Sequence, residues 1–223
     1  MCECAGQRSY NPHRSDDVRA AADHVLTAAL KRALPAAFPR DNYLCFPCTC
    51  QSTRCFRCMQ LSSAVRTAQR AGVLDMACPV CDAENDGSNK RGRSSKHVKA
   101  FADAVWQCFP SAAIIWDWNC LQAAPRMSID ATVLCGQGCA QFEIDSGIHF
   151  QHNLVNRSRN DEVKDTLICQ QQLCVLRLHF RDQERWKQYI VKHVNHPQPN
   201  IQYTQAFMEC LRGESNQNRI MQL

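Results

Sequence analysis

Between Val98 and Phe109 the apolar residues Phe101, Ala104, Val105 and Cys108 recur three and four positions apart, and Pro110 closes the run. This spacing predicts one amphipathic helix. Ala113-Ile114-Ile115-Trp116 is a short unbroken apolar run and predicts a strand. Ser128 to Leu134 and Ala140 to Asp145 are strand-like runs separated by Cys135-Gly136-Gln137-Gly138-Cys139, whose glycines suit a hairpin turn. Asp161 to Gln170 reads as helix, Leu173 to Phe180 as strand, and Asp182 to Val191 as helix with Trp186, Tyr189 and Ile190 inward. After the break at Pro197-Gln198-Pro199, Tyr203, Phe207, Cys210 and Leu211 predict a last helix.

Upstream, Val18, Ala22, Val25, Leu26, Ala29, Leu30 and Ala33 recur at helical spacing until Pro35, and Ser62 to Leu74 predicts a helix held between two cysteine pairs. The stretch from Glu84 to Lys99 is rich in Gly, Ser, Asn and base and reads as a basic linker or loop. The order helix, strand, hairpin, helix, strand, helix predicts an α/β (α+β) unit with a small mixed sheet flanked by helices. Three regions are expected: a zinc-stapled helical module at 1–82, a basic linker at 83–95, and a second domain at 96–223.

Sixteen cysteines in 223 residues change that picture, because about 7% is well above ordinary usage. Met1 to Arg8 lacks the apolar run of a signal peptide, and no stretch approaches membrane-spanning length, so the expectation is a soluble, intracellular chain with no membrane partner. Clustered cysteines in a reducing compartment are metal ligands or buried thiols more often than disulfides. Cys55-x-x-Cys58 and Cys78-x-x-Cys81, with nineteen residues between them, have the spacing of a Cys4 zinc site. Cys45-x-x-Cys48 is a third pair, and spacing leaves open whether Cys45 and Cys48 join Cys55 and Cys58 instead. Four thiolates around Zn²⁺ carry about −2, lowering the formal +5 to about +3. The remaining base concentrates at Lys90, Arg91, Arg93, Lys96 and Lys99, where nucleic-acid phosphates are expected to bind; the plainer reading is a solvated loop.

The candidate chemistry lies around the hairpin. Alternation puts Glu143 and Asp145 on one face of their strand, and Asp130 on the paired strand can reach the same face. Three converging carboxylates repel unless a cation binds among them, and hard oxygen ligands suit Mg²⁺ or Mn²⁺. An ordinary hairpin with acids outward is the alternative.

An Asp-bearing strand, a strand with Glu143-x-Asp145 and His149 four residues on, a helix opening Asp161-x-x-Lys164-Asp165, and the strand Val175-Leu176-Arg177 resemble the very-short-patch-repair-like branch of the PD-(D/E)xK nucleases. The resemblance covers roughly residues 96 to 192 and implies a restriction-endonuclease-like fold. It implies a catalytic Mg²⁺ or Mn²⁺ at Asp130, Glu143 and Asp145, with His149 as base or water-orienting group. The wider superfamily has Lys where Asp145 stands, so Lys164 is the expected substitute and Arg177 a weaker one. Residues 145–150 also resemble the RAP domain of RNA-binding organellar proteins.

The expectation is therefore a Mg-dependent DNA endonuclease, with DNA favoured over RNA, a homodimer allowed, and mobile-element, repair and defence roles all compatible. The alternatives are a non-catalytic nucleic-acid-binding protein and a zinc-stapled protein adaptor.

Overall fold

The structure, a computed structural model, describes residues 43–47, 55–60, 78–80, 92–118, 121, 127–136, 138–145, 159–210 and 212. Seven strands form one mixed sheet in sequential order: β1 (Tyr43–Pro47), β2 (Cys55–Gln60), β3 (Ala113–Trp118), β4 (Ile129–Cys135), β5 (Gly138–Asp145), β6 (Cys174–His179) and β7 (Asn200–Tyr203). Neighbours β1–β2, β3–β4 and β4–β5 are antiparallel, while β2–β3, β5–β6 and β6–β7 are parallel. The helices are α1 (Gly92–Cys108), α2 (Arg159–Gln170) and α3 (Trp186–Asn195).

Alternation along β3 explains the layering. Ile114 and Trp116 belong to a core with Phe101, Val105, Trp186 and Ile190, so α1 and α3 cover that face. Ile115 belongs to a second core with Phe56, Val175 and Ile168, the last from α2. Between the layers Phe142 stands 5.1 Å from the rings of both Phe101 and His193. Of the four tryptophans, Trp116 and Trp186 are buried. Trp106 is half-buried and donates to the Ala112 carbonyl at 3.2 Å; the Trp118 side chain lies outside the described residues.

The expected element order from 96 to 193 is present, with four differences. Helix α1 starts at Gly92, so Arg93, Lys96 and Lys99 belong to a helix where a linker was expected. The segment 182–191 begins as a 3₁₀ turn (Phe180–Arg185) before α3. Tyr203 sits in β7 opposite Arg177, and helix resumes only at residues 205–210. The expected N-terminal module contributes β1 and β2, and β2 pairs with β3, so the sheet runs across the division expected near 82. The helices expected over 18–33 and 62–74 lie outside the described residues. No helix among the described residues is long and apolar enough to cross a membrane.

Helix α2 ends in a Schellman motif. The Leu173 amide donates to the Ile168 carbonyl and the Gln172 amide to Cys169, both at 3.1 Å, while Gln172 takes φ 52 where glycine is the usual residue. Leu173 and Ile168 pack in the same cluster, completing the motif's apolar contact. This stop turns the chain into β6 and fixes where α2 lies against the sheet.

Candidate active site

Three acids stand in a row across the sheet. The pairs Trp116↔Ala131 and Trp118↔Ile129 put Asp117 opposite Asp130, and the register of Ala131↔Phe142 continues to Asp130 beside Glu143. The backbone ladder between β4 and β5 stops there. The Asp130 amide donates to Glu143 Oε1 at 3.3 Å, and the Ile144 amide donates to Asp130 Oδ2 at 2.8 Å. Carboxylates thus take amides that a continued ladder would have paired, which anchors both acids.

Lys164 reaches this row from α2. Asp161, Lys164, Asp165 and Ile168 share one helix face by three- and four-residue spacing. That face lies on the sheet: Ile168 is buried, Asp165 and Asp161 bind Arg177, and Lys164 Nζ lies 2.6 Å from the Glu143 carboxylate. Burial pushes Glu143 up to about 8, with Asp130 adding to the shift and Lys164 and Arg177 opposing it. Burial disfavours the Lys164 ammonium, but the charges of Glu143 and Asp130 outweigh it and hold Lys164 above its ordinary value. Glu143 therefore keeps its proton more tightly than an exposed carboxylate.

Asp145, expected beside Asp130 and Glu143 as a third metal ligand, turns instead to Arg177. The guanidinium grips it with Nε at 2.9 Å and Nη2 at 2.8 Å. The reason is register: Arg177 lies opposite Glu143 on β6, and its length carries the fork two residues further along β5, to the next side chain on the same face. Arg177, expected as a weaker substitute for the catalytic lysine, is 2% exposed and engaged by three carboxylates. Burial is the largest single influence on Arg177 and works against the guanidinium charge, but Asp145, Glu143 and Asp161 together outweigh it and hold the charge in place.

Asp117 was not anticipated. It takes φ 56 inside a strand, a left-handed conformation uncommon for a residue with a side chain, and pairs with Arg57 Nε at 2.9 Å. Burial raises its pKa, Arg57 opposes, and Asp130 adds to the rise. The available signal was a single acid in the apolar run Ile114-Ile115-Trp116-Asp117-Trp118. Thr132 and Gln141 are also buried on this side of the β4–β5 pair.

Arg57, Lys164 and Arg177 set three cations against the six acids Asp117, Asp130, Glu143, Asp145, Asp161 and Asp165. Such an excess of acids, with Glu143, Asp145 and Asp165 buried, favours a proton on Glu143 or a bound cation. Among the described residues, no three His, Cys, Asp or Glu side chains form a ready metal-ligand group. Asp130 and Glu143 remain as two adjacent hard-oxygen donors, which suits Mg²⁺, an ion commonly held by one or two carboxylates plus waters and phosphate oxygens. His149 lies outside the described residues, as do Lys90 and Arg91. Lys96 and Lys99 are exposed on α1, and Arg93 lies in its first turn.

The expected zinc cysteines are placed in part. Cys55 and Cys58 stand in one extended strand, and Cys45 is the register partner of Cys58. Cys55 and Cys78 are buried in the same core cluster, and the Trp116 indole donates to Cys55 Sγ at 3.2 Å. Cys48 and Cys81 lie outside the described residues. Cys135 and Cys139, flanking the hairpin turn, are free thiols.

Comparison of the chain with protein-family models, with curated proteins and with solved structures gives no match.

Proposed function

We propose that this chain is a metal-dependent endonuclease with a restriction-endonuclease-like fold, hydrolysing phosphodiester bonds of DNA. The observation that carries the reading is the meeting of Asp130, Glu143 and Lys164, from two strands and a helix, at the point where the β4–β5 ladder ends. Two carboxylates able to share a divalent cation, with an ammonium beside them, suit metal-assisted phosphodiester hydrolysis. The helix, strand, hairpin, helix, strand order and the mixed sheet support the same reading.

Asp130 and Glu143 would hold Mg²⁺, which when bound activates water and offsets charge on the phosphate. Asp130 is held ready by the Ile144 amide, which fixes one carboxylate oxygen. Glu143 must lose its proton to become a ligand, and Lys164 at 2.6 Å favours that loss. Lys164, beside Glu143, would offer its ammonium to the phosphate and stabilise the charge that builds there. Asp145 acts at one remove, through Arg177. Arg93, Lys96 and Lys99 on α1 supply phosphate contacts remote from the reaction.

The test is incubation of the full chain with plasmid DNA and with single-stranded RNA, with and without Mg²⁺. Wild type should cut DNA only with the ion. Asp130→Ala should abolish cutting, and Lys164→Met should slow it by about 100-fold, corresponding to about 3 kcal/mol of transition-state stabilisation. Wild-type rates in both variants, or salt-sensitive binding without any cutting, would defeat the proposal.

A further inference from the structure

Arg177 gathers more buried charge than the Lys164 pair itself. Its Nε and Nη2 hold both oxygens of Asp145, Nη1 donates to Asp165 Oδ1 at 2.8 Å, and Nη2 lies 3.4 Å from Asp161 Oδ1. Asp161 and Asp165 are one helical turn apart on α2, and Lys164 lies between them in sequence. On the far side, the Tyr203 hydroxyl of β7 donates to Asp165 Oδ2 at 3.0 Å. The Phe207 ring stacks on Tyr203 at 4.8 Å and lies 5.3 Å from the guanidinium carbon.

We infer that Arg177 is a positioning residue, clamping α2 to the sheet through Asp161 and Asp165 so that Lys164 is held against Glu143. A guanidinium suits the task because its planar fork fixes direction as well as distance, whereas an ammonium fixes distance alone. Arg177 is a poor phosphate ligand for the same reason: it is 2% exposed and ringed by three carboxylates that repel an approaching phosphate. The catalytic consequence rests on the nuclease reading; the clamp on α2 does not.

The experiment uses the full chain and Arg177→Lys, which keeps the charge and loses the fork. Amide hydrogen exchange is measured on α2, with α3 as internal reference, beside Mg²⁺-dependent plasmid cleavage. Exchange across α2 should rise by about fivefold or more while α3 stays within about twofold. The kcat should fall about 10- to 100-fold with KM for DNA within about twofold, because Lys164 is misplaced while the DNA contacts on α1 are untouched. Unchanged α2 exchange overturns the clamp, and a raised KM with kcat intact would make Arg177 a DNA contact instead. If Arg177→Lys does not fold, Asp161→Ala removes one of the two α2 carboxylates held by Arg177 and leaves the fork on Asp145 in place. Its α2 exchange should rise about threefold or more, and no rise overturns the inference. If wild type does not cleave, the nuclease reading falls and the exchange measurement alone decides the clamp.

Discussion

Replacing Glu143 with Gln removes a single buried ionisable group, so its effect on stability should depend steeply on pH. The Glu143 side chain is 4% exposed, and burial raises its pKa from 4.5 to about 8. At about 1.4 kcal/mol per unit, that interval amounts to about 5 kcal/mol of differential stability. The folded state holds the proton across this interval and the unfolded chain does not, so folding stability falls as pH rises from about 4.5 to about 8. The favourable contribution is complete below the unfolded value and is lost on passing through the folded one. Gln at this position carries no such proton. Urea unfolding of wild type and Glu143→Gln from about pH 5 to pH 9 should show wild type losing several kcal/mol relative to the variant. A difference constant within about 1 kcal/mol over that range would refute the argument that burial controls this carboxyl. Mg²⁺ should shrink the fall, since a cation at Glu143 favours its ionised form.

Phe142 is fully buried and touches rings from both α1 and α3. Phe142→Ala should cost about 3–5 kcal/mol in urea or thermal unfolding, and a loss below about 1 kcal/mol would mean this core is not where the layers are joined. Gln172 occupies the left-handed position that ends α2, so Gln172→Gly should raise stability by about 0.5–1 kcal/mol, and a decrease would contradict the assigned cap. Elemental analysis of the purified chain should find at least one zinc, with Cys55, Cys58, Cys78 and Cys81 as the proposed ligands. Cys55 and Cys78 already share a buried cluster, and a folded, zinc-free protein would end that proposal.

Much of the candidate site could be read from spacing. The two-residue period of a strand sets Glu143 and Asp145 on one face, and the three- and four-residue neighbours on α2 align Lys164 with Asp161. Both are properties of local backbone geometry; the nuclease resemblance, rather than spacing, points Lys164 to the hairpin acids, and in the structure it contacts Glu143. The hairpin register followed in the same way, because a short turn between adjacent runs limits how two strands can pair. Local periodicity does not say which distant groups meet. Asp145 has the face expected of it, yet its partner comes from β6, whose parallel pairing with β5 is made through the α2 crossover. Arg177 binds it because charges leaving water need the nearest opposite charge, and nearness there is tertiary. Asp117 joins the row only because β3 pairs with β4, and Arg57 reaches Asp117 only because β2 pairs with β3, inside a segment whose cysteines dominated its pattern. The sequence alone determined the helices and strands between residues 98 and 191, their faces and the helix position of Lys164. The tertiary structure decided which charges were buried together, since that depends on strand partners far apart in the chain.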